Sequence, residues 1–156
     1  MRFLGFVCAI VLLVGCSGAT SVRPFGGAYG LIDIDGQPPP QPLQPGEATL
    51  QVVGGTLSVG PDTLRVTLTL QGEDTAGRPL GAPLPLASAI PYVRHGDSLL
   101  VADSGSVGDG LGGVAPGFLP IGRVLGSSVA LDLFFGLPVS TGFTGPVRRF
   151  LFAPAS

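Results

Sequence analysis

Apolar and polar residues alternate along most of the chain after about residue 28. The clearest case is residues 63–71, where every second residue from Leu64 to Leu70 is apolar and the residues between are Arg or Thr. Successive side chains of a β-strand point to opposite faces, so this period predicts a half-buried strand.

Shorter segments with the same pattern are separated by Gly, Pro and Asp. Asp35-Gly36, Gly60-Pro61-Asp62 and His95-Gly96-Asp97 are typical turns. Gly54-Gly55 is expected to end a strand, and 72–81 is expected to be a polar loop. Proline interrupts the apolar residues 82–91, which favours an edge strand, and 37–46 (QPPPQPLQPG) is expected to be a polyproline-like connection. The other predicted strands are 29–34, 48–53, 56–59, 99–102, 122–125, 129–135 and 147–152, and residues 92–94 lead into the turn at 95–97.

This reading gives about eight strands, and no apolar series at helical spacing survives the Gly and Pro residues. The sequence therefore predicts an all-β, antiparallel fold. An up-and-down barrel is the first expectation, and a β-sandwich is the alternative.

The start of the chain has the composition of a secretory signal. Arg2 precedes an unbroken apolar run from Phe3 to Val14, and small residues follow. The run is well short of the roughly 20 residues that span a bilayer as a helix. We therefore expect the protein to be exported and residues 1–15 to be removed as a signal peptide.

Leu13-Val14-Gly15-Cys16 resembles the bacterial lipobox, in which a small residue precedes a cysteine. The resemblance implies a diacylglyceryl group on the Cys16 thiol and cleavage before that residue. Ser17 resembles the residue that sorts such proteins to the outer membrane. The expected organisation is a signal peptide at 1–15, a lipidated tether at 16–27 and a β-barrel domain at 28–156. The alternative is an ordinary signal peptide with a chance cysteine.

The segments AYGLIDIDGQPPP, GGTLSVGPDTLRVTLTL, IPYVRHGDSLLV, GRVLGSSVALDLFF and VRRFLFAP resemble, in that order, small bacterial lipoproteins with lipocalin-like barrels. The resemblance implies a barrel fold. Those proteins mostly have no assigned activity, so it implies little about function.

Composition narrows the function classes. All eight basic residues are Arg, the net charge is −2, and no basic stripe is visible, which disfavours nucleic-acid binding. Cys8 and Cys16 are the only two cysteines. If Cys8 is removed and Cys16 acylated, the mature domain has no thiol for a disulfide, a nucleophile or a metal.

Candidate catalytic and metal-binding motifs have simpler explanations. Gly108 to Gly113 matches G-x-G-x-x-G, but no helix pattern follows to bind a phosphate. Asp33 to Gly36 and Asp103 to Asp109 lack a complete calcium ligand set, and turn chemistry accounts for both. His95 is the only histidine. It is expected at a solvated turn, because no G-x-S-x-G serine accompanies it.

Arg148 and Arg149 could meet anionic lipid headgroups, or one could be exposed and the other at the barrel rim. The sequence therefore predicts a lipid-anchored, non-enzymatic envelope protein without cofactor or metal. It is expected on the periplasmic side of the outer membrane, with a binding or structural role toward an envelope protein. The alternative is a lipocalin-like carrier of a small apolar ligand.

Overall fold

The structure is a computed structural model that describes residues 25–44, 49–102, 118–134 and 146–155. Every strand in these ranges belongs to one antiparallel sheet, and none of them contains a helix. The strands are β1 (Gly27–Ile34), β2 (Gln41–Pro42), β3 (Leu50–Val59), β4 (Thr63–Glu73), β5 (Pro79–Pro91), β6 (Val93–His95), β7 (Ser98–Ala102), β8 (Phe118–Leu125), β9 (Ser128–Leu133) and β10 (Arg148–Pro154).

The strand order is that of an up-and-down barrel. It runs β5-β4-β3-β1-β10-β9-β8-β7-β6, with β2 beside β3. Only Tyr92 separates β5 from β6, so the two ends of this order are successive parts of one chain segment. The single curled sheet confirms the predicted all-β, up-and-down class, and the β-sandwich alternative is wrong. Within the described residues, the second edge of β5 has no hydrogen-bonded neighbour, which leaves a seam there.

Alternation along the strands fills the interior. Leu64, Val66 and Leu68 of β4 are at most 1% exposed, as the period-2 pattern predicts. Phe150 and Phe152 of β10 point to the same side, and both are fully buried. These side chains belong to one hydrophobic cluster to which most of the strands contribute. Its burial is the main source of stability for this fold.

Two boundary predictions are wrong. Gly54-Gly55 does not end a strand, because β3 continues through it with a β-bulge between Val52 and Gly54. A Cβ on Gly55 would lie 2.9 Å from the Thr67 carbonyl oxygen, so this glycine permits a close strand approach. The predicted loop at 72–81 is also shorter, since β4 and β5 extend into it.

The edge-strand prediction for residues 82–91 is confirmed, since β5 pairs only with β4 in the described structure. Pro85 and Pro91 lie opposite Thr69 and Thr63. Backbone N–H groups alternate between the two edges of a strand, so these prolines, an even number of residues apart, face the same edge. Proline has no N–H to donate, which is tolerated only at the unpaired edge.

Candidate functional site

The two ends of the barrel are built differently. One end holds the turn after β1 and the starts of β3 and β10, and we call it the Arg148 end after the first residue of β10. The other end holds the start of β1, the β3–β4 turn and the junction of β5 with β6. We call it the Phe25 end, because Phe25 is the first residue that the structure describes.

Arg148 is buried at the rim of its end. It follows the inward alternation of Phe150 and Phe152, and its side chain is only 9% exposed. Its Nε donates a hydrogen bond to Asp35 Oδ2 at 2.6 Å, and Nη1 donates to the Pro42 carbonyl oxygen. A charged group this far from water requires such partners, because burial without them is costly.

The proline-rich connection crosses the same end. We call residues 37–44 the strap. Gln41 and Pro42 pair with β3, and Leu43 is 3% exposed within the main hydrophobic cluster. The strap is therefore held at the Arg148 end by its pairing with β3, by the apolar anchor Leu43 and by the hydrogen bond from Arg148.

The turn between β1 and the strap supplies the carboxylate for this attachment. Asp35 has a positive φ of 54°, a conformation that Asp tolerates better than most residues. Its Oδ1 accepts a hydrogen bond from the backbone N–H of Arg149 at 2.7 Å. Asp33 Oδ1 accepts one from the N–H of Gly36 at 2.6 Å. The Asp33 carboxylate thus stabilises the turn, as the sequence predicted, whereas the Asp35 carboxylate joins the turn to β10. The described residues contain no group of three or more His, Cys, Asp or Glu that could hold a metal ion.

Arg149 points outward and pairs with a different carboxylate. Its Nε and Nη2 donate to the two carboxylate oxygens of Asp132 at 2.8 and 3.0 Å. This hydrogen bond raises the pKa of the Arg149 guanidinium. An open cleft of about 640 Å³ is bounded by Asp35, Gly36, Asp132, Val147 and Arg149. The two arginines therefore match the rim-and-surface alternative rather than a shared basic patch.

Aromatic contacts mark the Phe25 end. The ring of Phe25 meets Tyr92 edge-on, with centroids 6.1 Å apart, and Arg94 Cζ lies 4.7 Å from the Phe25 centroid. The Tyr92 hydroxyl donates to the Gly60 carbonyl oxygen at 2.9 Å, and burial raises the pKa of this phenol. Phe25 belongs to the segment predicted as tether, 16–27. Phe25, within that segment, thus packs against the barrel.

Two further clefts lie on the outside of the sheet. One, of about 460 Å³, lies over β8, β9 and β10 and includes Arg123, Leu125 and Asp132. The other, of about 390 Å³, is lined by Val93, Phe118 and neighbouring residues. His95 is exposed at the end of β6, opposite Ser98, as expected for a turn residue, and it lines none of these three clefts.

Comparison with known proteins gives no relative for this chain. No family model, no curated protein and no solved structure matches it. Within the described ranges, no helix is long and apolar enough to cross a membrane. Cys16, the motif at Gly108 to Gly113 and the aspartates from Asp103 to Asp109 lie outside the residues that the structure describes.

The pair of Arg148 and Asp35 could not be found from local sequence. The two residues are 113 positions apart, and neither stands in a recognisable motif. The only local signal was that Arg148 has the inward register of Phe150 and Phe152. An arginine at an inward position of a barrel strand indicates either a rim residue or a buried ion pair, and Arg148 is both.

Proposed function

We propose that this chain is a lipoprotein of the bacterial envelope, held on the membrane by a lipid on Cys16, with a β-domain that has a non-enzymatic binding or structural role. The outer membrane, on its periplasmic side, is the expected location. The proposal combines the lipobox-like segment with the construction of the domain.

The packing of the described inward side chains is the observation that carries the binding or structural role. These side chains form one cluster, and the largest of them, including Phe150 and Phe152, are fully buried. Small barrels can either fill their interior with side chains or hold one small ligand. The three clefts that described residues line, of about 640, 460 and 390 Å³, lie on the outside of the sheet. This favours recognition by the outer surface over transport of an apolar ligand inside.

The hydrogen bonds that the aspartates accept support a non-enzymatic role. Asp33 accepts a hydrogen bond from the backbone of its own turn, and Asp35 accepts one from the Arg149 N–H in β10. Asp132 accepts two from the Arg149 side chain. Asp74 accepts from the N–H groups of Ala76 and Arg78. Carboxylates used in this way stabilise turns and strand pairs, and none of them is paired with another carboxylate for acid–base chemistry.

Intact-mass spectrometry of the membrane-extracted protein tests the anchor. The wild type is expected to lack residues 1–15 and to carry the mass of a diacylglyceryl group, and Cys16→Ala is expected to lack both changes. An unmodified, periplasmic wild type would overturn the proposal. For the interior, a fluorescent fatty acid is expected to give no saturable binding. Saturable binding that Phe152→Ala strengthens would favour the carrier instead.

A further inference from the structure

One outward face close to the Phe25 end is largely apolar. We call it the Val93 face. The register places Val93 of β6 beside Leu100 of β7, and Leu100 beside Pro120 of β8. Val93, Phe118 and Leu125 are 52%, 51% and 53% exposed. The face consists of Val93, Leu100, Phe118, Pro120, Arg123 and Leu125.

These side chains point away from the core, and other residues of the same strands point into it. Leu99 and Ile121, which neighbour Leu100 and Pro120 in sequence, are fully buried in the main cluster. The apolar residues of the Val93 face are therefore not required for the interior. Exposed apolar patches on a soluble domain commonly mark contacts with a protein or a membrane.

The Val93 face contains one positive charge, Arg123, and acidic residues lie at its border. Arg123 lies opposite Ser98 and Ala130 and is exposed. Asp132 borders the face in the same cleft as Arg123 and Leu125, and Asp97 and Asp62 border it elsewhere. Asp97 lies 3.8 Å from Arg94, and Asp62 accepts a hydrogen bond from the Thr63 hydroxyl at 2.8 Å. An apolar face with an arginine suits the boundary between lipid headgroups and acyl chains.

The first described residue, Phe25, lies close to this face, on the other side of the strand that carries Val93. Phe25 contacts Tyr92 and Arg94, the two residues that flank Val93. Cys16 is nine positions before Phe25. A flexible tether of that length has an end-to-end distance of about 15–18 Å and cannot exceed roughly 32 Å. A lipid on Cys16 would therefore hold the Phe25 end, and the Val93 face next to it, close to the bilayer.

We infer that the Val93 face rests on the membrane to which the chain is anchored, with Val93 and Leu125 at the headgroup boundary and Arg123 toward anionic headgroups. This inference rests on the proposed anchor at Cys16. It deepens that proposal by giving the domain an orientation. The strap and the turn at Asp35 and Gly36, at the Arg148 end, then lie away from the lipid anchor near the Phe25 end.

Site-specific labelling of the full chain tests this orientation. An acylated mature chain has no free thiol, so Val93→Cys, Leu125→Cys and Leu84→Cys each introduce one labelling site. Leu84 is the matched control, because it is 68% exposed and lies near the opposite end, in β5. Each variant is purified from membranes, labelled with an environment-sensitive fluorophore and reconstituted into phosphatidylethanolamine–phosphatidylglycerol vesicles. Quenching is then measured with a headgroup nitroxide lipid and with aqueous iodide.

We expect the labels at positions 93 and 125 to be quenched by the nitroxide lipid at least roughly two-fold more than the label at position 84. Arg123→Gln, in the Val93→Cys background, is expected to lower the ratio of membrane-contacting to free orientations by roughly five-fold in vesicles with phosphatidylglycerol, and little in phosphatidylcholine. Intact mass, measured on the same samples, reports the lipid on Cys16 separately.

Equal quenching at all three positions in an acylated sample would overturn the orientation and leave the anchor standing. Protection from iodide at positions 93 and 125 without nitroxide quenching would place a protein on this face, such as a second copy of this chain, and would also overturn the inference. A sample that lacks the acyl mass and stays soluble would overturn the anchor, and the orientation with it.

Discussion

Asp35→Asn is the most informative single change for the Arg148 end. Asparagine tolerates the positive φ of 54° at this position, and its side chain can still accept the hydrogen bond from the Arg149 N–H. The change therefore removes the negative charge and puts an amide NH2 group where Oδ2 accepted the hydrogen bond from Arg148 Nε. It leaves the guanidinium of Arg148, whose side chain is 9% exposed, without its carboxylate partner.

The expected cost follows from the burial of the two partners. Removing one partner of a fully buried ion pair costs about 3–5 kcal/mol. The Asp35 side chain is 40% exposed and Arg148 keeps its hydrogen bond to the Pro42 carbonyl, so solvent screening lowers the expected loss to about 2 kcal/mol. For a chain of this size, that loss lowers the melting temperature by roughly 6 °C.

Asp132→Asn is the matched control on the neighbouring arginine. It removes the carboxylate from Arg149, whose side chain is 66% exposed, and therefore breaks a surface pair. Such pairs contribute about 0.5 kcal/mol, so the melting temperature is expected to fall by roughly 1–2 °C. Adding salt is expected to weaken the surface pair more than the buried one.

Thermal unfolding followed by circular dichroism measures both variants, and hydrogen exchange reports on the strap. Exchange in residues 37–44 is expected to rise in Asp35→Asn and to stay unchanged in Asp132→Asn. Equal shifts in melting temperature for the two variants would refute the argument from burial. Arg148→Met separates charge from packing, because an apolar replacement of similar length leaves no uncompensated charge and is expected to cost less than Asp35→Asn.

Three other changes have defined outcomes. Gly122→Ala places a Cβ much closer to the Ala130 carbonyl oxygen than van der Waals contact allows, and it is expected to lower the free energy of unfolding in denaturant by about 3 kcal/mol. Gly30→Ala is the control, because the space around its added Cβ is open, and it is expected to cost less than about 1 kcal/mol. Leu43→Ala is expected to cost about 2–5 kcal/mol and to expose the strap to limited proteolysis, and undiminished stability would show that the strap is not anchored there. Folding raises the pKa of Tyr92, so the neutral phenol contributes fully to the free energy of unfolding below pH 10, and this contribution is lost as the pH rises toward the pKa of the folded state. The free energy of unfolding of Tyr92→Phe should therefore fall less between pH 9 and 11 than that of the wild type.

The strand content of this fold follows from the apolar period. The period-2 run at residues 63–71 predicted β4, and the register of Phe150 and Phe152 was also evident from alternation. The error at Gly54-Gly55 has a physical cause. Glycine pairs usually end strands, but here a bulge and the close approach of Gly55 to Thr67 need glycine within a continuous strand. Local sequence does not distinguish these two uses.

The construction of the two ends could not be read from the sequence in the same way. The prolines of the strap predicted an extended connection, but nothing local indicated that Leu43 would enter the core. The contacts of Phe25 with Tyr92 and Arg94 also join distant parts of the chain. Such contacts depend on the final curvature of the sheet. The alternation of apolar and polar residues specifies which face of the sheet is buried, but it does not specify this curvature.

The described structure leaves the outer faces as the surfaces best suited to recognition. A β-domain can bind a partner in its interior, along a free strand edge or on a face. In the described residues, the inward side chains pack into the main hydrophobic cluster. The free edge of β5 carries Pro85 and Pro91, which interrupt the row of N–H donors that an added strand would need. If the Val93 face rests on the membrane, the side of the roughly 640 Å³ cleft that is lined by Asp35 and Gly36, at the Arg148 end, stays open to other envelope components. A search for partners by cross-linking should therefore start from positions beside Gly36 and Val147, and β5 should serve as the comparison.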